Sequence, residues 1–496
     1  MSDQEKQVSS DPDQQQAKSE ESSLLETIID ESGMAIEENQ RDAAKEQIQA
    51  FVDGFLDKSI PPSEDTDTMI NARIAQIDKL ISNQLNEILH HPDFQKLEAS
   101  WRGLDYLVSN SNTGERLKIK VLNVTKKDLI SDLKQKKKYD QSELFKKVYE
   151  DEFGTPGGEA FGTLIGDYEF SNHPQDIILL KKIAEVAAAA HAPFISAAAP
   201  SLLNMRSYTE LSNRYKLETI FGKPEYAAWR TFRESEDSRY VSLTLPHTLM
   251  RLPYGKDTVV VDSFDYEEEV DGKDHSKYLW GNAAYSLGVR ITKAFDKHSW
   301  CVAIRGVEGG GLVQDLPSHP FKTDEGDIAL KCPTEIGITD RREKELADLG
   351  FIPLCYYKNT DYAAFFSLQT TNKPKQYTTD AATANANLSS QLQYILAVSR
   401  FAHYLKSMMR DKIGGFMSLE EAGKFLNNWI GQYVCGSDSS ESYKAKCPLN
   451  EARVDVVDVP GKPGVYKAVA FLKPHFQLDE LTISLRLVAE LPAPKG

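Results

Sequence analysis

Along the first quarter of the chain apolar residues recur at helical spacing; beyond it they recur at the spacing of alternating strands and helices. Residues 1–21 are nearly all polar and hold no aromatic side chain. Such a segment buries too little apolar surface to offset the entropy of ordering it. The run SSLLETIIDES at 22–32 differs. Leu24, Leu25, Ile28 and Ile29 fall on one helical face. Ser23 and Glu26 form a capping box, and Gly33 is a natural stop. One or two helical turns are marginal alone in water, so this helix is expected to need a partner. A second amphipathic segment at 43–58, with Ile48, Phe51, Val52 and Phe55, is broken by Pro61 and Pro62. A long helix then runs to Pro92. Its Ile70, Ile74, Ile77, Ile81, Leu85 and Ile88 make a continuous stripe. That stripe is expected to bury either in the chain's own core, the default, or against a partner. A further helix follows in FQKLEASWRGLDYLV.

From Leu117 the pattern changes. LKIKVLNV alternates strictly and predicts a strand, and 131–153 predicts a helix. GTLIGDYEF leads into a helix and then a buried strand, DIILLKKIAEVAAAAHAPFISA. WCVAIRG reads as another strand, and KELADLGFIPLCYY as a helix stopped at Gly350 before a strand. This rhythm predicts an α/β core. The polar stretch 371–387 marks a boundary near 380. Two helices follow it, within 388–413 and 418–434, and the chain closes on two strands. The first contains Val469 and Phe471; in the last, Leu481, Ile483, Leu485 and Leu487 alternate with Thr482, Ser484 and Arg486. The expected organisation is a tail with a short helix (1–62), a helical region (63–115), an α/β core (116–380) and a C-terminal domain (381–496). The final strands either pair within their own domain or add to a neighbour's sheet edge.

Charge and cysteine content narrow the possibilities. The 496 residues carry a formal net charge of −16, which disfavours nucleic acid as the main partner. No apolar run is long enough to span a bilayer, and the N-terminal residues do not resemble a secretory signal. Cys301, Cys332, Cys355, Cys435 and Cys447 are odd in number and widely spaced, which fits reduced thiols and a cytoplasmic protein. Candidate chemistry is sparse. Gly306, Gly309, Gly310 and Gly311 follow a predicted strand but lack phosphate-loop spacing, so close backbone packing is the plainer reading. His90 and His91 are adjacent and point apart on a helix, and DYEEEV at 265–270 reads as a solvated acidic face. No catalytic residue, cofactor or metal is expected, although an α/β enzyme or a closed-oligomer cytosolic scaffold remains the alternative.

Several long blocks carry a family likeness: HPDFQKLEASWRGLDYLV (91–108), EFGTPGGEAFGTLIGDYEF (152–170), AAHAPFISAAAPSLL (189–203), FRESEDSRYVSLTLPHTLMRLPYG (232–255), the run 321–367, and the closing LDELTISLRLVAELP. From about residue 65 the chain resembles the large subunit of the type VI secretion contractile sheath, which is related in fold to phage tail sheaths. The resemblance implies a multi-domain structural protein and no enzyme. It implies a heterodimer with a small sheath subunit, contacts with neighbouring sheath subunits, an inner tube and a baseplate, and recycling by an AAA+ unfoldase. It implies that the unfoldase grips the helix of Leu24, Leu25, Ile28 and Ile29. It also favours intermolecular addition of the strands holding Val469, Phe471, Leu481, Ile483, Leu485 and Leu487.

Overall fold

The structure, a computed structural model, describes residues 38–56, 66–135, 138–213, 216–323, 325–415, 418–458 and 466–477. Leu24, Leu25, Ile28, Ile29, Leu481, Ile483, Leu485 and Leu487 lie outside them.

Two compact units emerge. The smaller holds the described residues up to Glu87 together with Tyr254–Glu268. It contains helix α1 (Glu38–Leu56) and nearly all of α2 (Thr66–Leu89). The loop is fixed on α2 by the buried Tyr266 hydroxyl, which donates to Asn86 Oδ1 at 2.9 Å. Part of the acidic run is tied down here too: Glu268 is buried and accepts the Tyr254 N–H at 2.9 Å.

The larger unit begins with α3 (Pro92–Ser109). His91 is its N-cap, its ring accepting from the Asp93 N–H, with Pro92 in the first turn where a missing N–H costs nothing. After α4 (Lys126–Gln135) the predicted 131–153 helix is interrupted. The Asp132 carboxylate accepts from the N–H groups of Glu143 and Leu144, capping a second, irregular helical segment that turns away from α4. The central sheet follows, built from β1 (Leu164–Phe170), β2 (Phe194–Ala198), β3 (Val241–Leu245), β4 (Leu312–Val313), β5 (Ile352–Tyr356) and β6 (Ala363–Phe365). Its order is β1-β2-β3-β5-β6-β4. The first four strands in that order are parallel; β6 runs antiparallel to both its neighbours.

Helices cover both faces, as a parallel sheet requires. On one face lie α5 (Pro174–Ala190), α6 (Ala227–Arg233) and α8 (Asp340–Asp348), whose Leu180, Ile183, Trp229, Phe232 and Leu346 pack with Val241, Leu243 and Leu245 of β3. On the other, α7 (Ala284–His298) supplies Leu287 and Ile291 against Ile195, Ile352, Leu354 and Phe365. Strand alternation sends Phe194 to the first core and Ile195 to the second. Gly350 sits at φ +85° between α8 and β5, the left-handed stop its sequence predicts.

Beyond α9 (Asp380–Leu388), α10 (Leu392–Asp411) and α11 (Leu419–Gly431) pack on a hairpin of β7 (Leu449–Asp458) and β8 (Tyr466–Pro474). Ser418 and Glu421 form a full capping box at the start of α11. The separate core here is Trp300, Phe401, Leu426, Ile430, Leu449 and Val454.

Two predicted strands are absent. Residues 117–124 join no ladder, because alternation specifies faces and not a pairing partner. Residues 300–306 turn sharply instead: Ile304 N–H donates to Val302 O, and Trp300 stacks on Phe401 with centroids 4.3 Å apart. Conversely, β7 is a strand that the sequence reading did not assign. Its Glu451, Arg453 and Asp455 alternate with Ala452, Val454 and Val456.

Candidate assembly surfaces

The clusters that superficially resemble chemistry are structural. His247 follows β3 and is clamped by two carboxylates: Nδ1 lies 2.6 Å from Glu335 and Nε2 2.9 Å from Glu169. Glu335 also accepts from Ser207 Oγ at 2.7 Å and from the Tyr208 N–H at 3.1 Å. Burial alone would push the imidazolium pKa down. The two carboxylates outweigh it and hold it up at about 9. Burial likewise raises both carboxyl groups, and hydrogen bonding to His247 brings each below its ordinary value. A histidine held protonated near neutral pH is no general base there. It instead ties the C-terminal ends of β1 and β3 to the 335 loop.

The glycine loop is closed on itself. Gly306 N–H donates to Phe365 O at 2.8 Å, Gly311 N–H to Gly306 O at 2.7 Å, and Arg305 N–H to Gly309 O at 3.3 Å. A Cβ on Gly310 would lie 2.4 Å from Ala303 O. These N–H groups are taken by Phe365 of β6 and by the loop's own carbonyls, so the arrangement is close backbone packing. Among the described residues no group of three or more His, Cys, Asp or Glu is placed to hold a metal ion, and no helix is long and apolar enough to cross a membrane.

What the surface does carry is exposed apolar residues on regular elements. Ile70, Ile74, Ile77, Ile81 and Ile88 on α2 are between 42% and 50% exposed, and only Leu85 of the stripe is less so. The expected burial in the chain's own core is therefore not met among the described residues. The opposite side of α2, at Asn86, is the one the 254–268 loop covers. On α3, Phe94, Leu97 and Trp101 are exposed at i, i+3 and i+7, Trp101 by 66%. Their spacing was visible in the sequence, but helical periodicity identifies an apolar face without saying what covers it.

The β7–β8 hairpin presents a third surface. α11 packs against it, with Asn427 Oδ1 accepting from the Val454 N–H at 2.9 Å. Val469 and Phe471 on β8 face solvent, Phe471 beneath the Arg453 guanidinium at 5.0 Å. The outer edge of β7 is partly taken, by Asn427 at Val454 and by a bridge from Val434 to Leu449, whereas β8 pairs only with β7 among the described residues, which leaves its outer edge open to pairing. The described structure thus brings Val469 and Phe471 to one sheet edge and the six α2 residues to one helix face.

Comparison with known proteins agrees on one family. Residues 71–372 match the profile of the EvpB/VC_A0108 tail sheath N-terminal domain, and residues 381–491 that of the EvpB/VC_A0108 tail sheath gpW/gp25-like domain. The chain is 49% identical over 486 residues to a type VI secretion system sheath protein, TssC1, of Pseudomonas aeruginosa, covering 97% of this chain and 98% of that one. Among solved structures it is similar to a chain of the anti-feeding prophage baseplate, with TM-score 0.36, 8% identity and 63% and 66% of the two chains covered. The contracted anti-feeding prophage sheath gives TM-score 0.29, 9% identity and coverage of 62% and 66%. On the two family profiles and the near-full-length relative, this chain belongs to the tail sheath family of type VI secretion, as a large sheath subunit.

Proposed function

We propose that this chain, in the cytoplasm, pairs with a small sheath subunit, polymerises with its neighbours around an inner tube on a baseplate, and contracts to drive the tube outward. An AAA+ unfoldase then recycles it. The near-full-length likeness to a sheath protein carries this reading. The role is mechanical, and no catalytic residue is assigned. The exposed α2 stripe is the seat for the small subunit, since a continuous apolar helix face of this kind is stable in water only when covered. The outer edge of the β7–β8 sheet, at Val469 and Phe471, receives an extended strand from a neighbour. The strand of Leu481, Ile483, Leu485 and Leu487 is the one donated, which gives an open head-to-tail contact and hence a filament. The short helix of Leu24, Leu25, Ile28 and Ile29 is the unfoldase's handle, weak singly and strengthened by many copies per sheath.

Negative-stain electron microscopy of the chain co-expressed with a small sheath subunit tests the reading. Long hollow tubes are expected, and Phe471→Asp should leave soluble heterodimers without tubes. Discrete closed particles from the unaltered pair would overturn it in favour of a scaffold.

A further inference from the structure

The segment 117–124 belongs to no helix or strand, and the main-chain groups of 118–123 make no hydrogen bond among the described residues. It runs beside β1, the edge strand of the six-stranded sheet. Lys118 and Lys120 pair with Glu159 and Glu152 near where β1 begins. Near its end, Tyr168 Oη donates to Val124 O at 2.7 Å and Lys126 Nζ to Glu169 O at 2.6 Å. The segment and β1 therefore run the same way, but they are joined by side chains and not by a ladder. Between them lies a groove of about 1970 Å³, lined in part by Leu97, Trp101, Val121, Leu122 and Ile165. Val121 is 68% exposed. The free edge of β1, facing an unpaired segment across an apolar cleft, offers a seat for an extended chain between them.

One end of the groove points to the occupant. Arg116 and Arg400, both lining it, flank the Phe295 ring at 5.9 Å each. Neither guanidinium forms an ion pair among the described residues; Arg116 donates to Ser299 Oγ at 2.7 Å, and Arg400 Nε is buried without a hydrogen-bond partner. Trp300 and Cys301 line the same end. The last described residue, Gln477, is held beside it: its N–H donates to Tyr394 Oη and its side-chain amide to Val302 O, both at 3.2 Å. The sequence that follows is Leu478, Asp479, Glu480, then the alternating Leu481–Leu487 run. The sequence thus supplies two carboxylates within three residues of Gln477, and two cations without an ion pair line the groove near it. At about 3.3 Å per residue, the seven residues 481–487 span about 23 Å, close to the length of 117–124.

We propose that in the unassembled chain residues 478–487 fold back into this groove. Asp479 and Glu480 sit at Arg116 and Arg400, and 481–487 forms a parallel strand between 117–124 and β1. The consequence for assembly rests on the sheath reading above: a strand parked in its own subunit is not available to a neighbour, so chain growth begins with its release.

The test uses the full chain, unassembled and dilute. Val121→Cys with Leu485→Cys is oxidised and read by non-reducing electrophoresis, with chains of two sizes mixed to separate links within one chain from links between chains. A link within one chain is expected. Links only between chains, links preferred in the control pair Phe471→Cys with Leu485→Cys, or no link at all would each overturn the groove proposal, and none of them would touch the tube-forming test. Amide exchange gives a reading that does not depend on added cysteines. Exchange at 118–123 is expected to quicken about tenfold in Leu485→Asp and in the double reversal Asp479→Lys, Glu480→Lys. Unchanged exchange in these variants would refute the docking.

Discussion

At the residue scale, His247 shows how one side chain sets a pH dependence. Its folded-state pKa of about 9 lies above its ordinary 6.5. The stability it contributes is therefore complete below about pH 6.5 and is lost as pH rises through about 9. Glu169 and Glu335 are displaced the other way, so their contribution is present at neutral pH and lost on acidification. The melting temperature should fall between pH 7 and pH 10, and the slope should flatten in His247→Gln; equal slopes in the two proteins would refute the clamp. His247→Ala, which leaves Glu335 buried without its counter-charge, is expected to cost about 3–5 kcal/mol in denaturant unfolding. The sequence marked His247 with nothing, since its partners lie 78 and 88 residues away.

At the element scale, glycine decides how closely α3 and α7 approach. A Cβ on Gly103 would lie 2.4 Å from the Tyr285 ring, and one on Gly288 would lie 3.1 Å from Leu107 Cδ1. Gly103→Ala should destabilise by about 1–3 kcal/mol through overpacking, less the gain of up to about 1 kcal/mol in helix propensity. Gly423 on α11 has nothing within 4 Å of the added methyl. Gly423→Ala should therefore be neutral or raise the melting temperature, because it keeps the propensity gain without a clash. Similar melting shifts for the two variants would remove the packing argument. Helices with strong periodicity or caps, such as α2, α3 and α11, were legible in the sequence. The segments 117–124 and 300–306 were not, because a strand exists only where another strand supplies hydrogen bonds.

At the scale of the whole molecule, a sheath subunit must leave apolar surface uncovered until it assembles. The α2 stripe and the β8 edge are such surfaces, carried on regular elements instead of loops. The proposed unfoldase handle gives a separate expectation. Deleting residues 1–33 should leave tube formation intact and slow the unfoldase-driven loss of contracted tubes, followed by turbidity and microscopy. Failure to form tubes at all would make that segment structural.

The sequence by itself determined the family, the α/β class, the main helices and the absence of a recognisable catalytic motif. These follow from local pattern and from long matching blocks, which need no coordinates. Tertiary structure alone decided that the α2 stripe is exposed among the described residues, that 117–124 lacks a ladder, that Phe365 and the glycine loop's own carbonyls take its N–H groups and that His247 is held charged near neutral pH. Each of these depends on what approaches from a distant part of the chain. Periodicity says which side of an element is apolar, but only the packed fold says whether anything covers it.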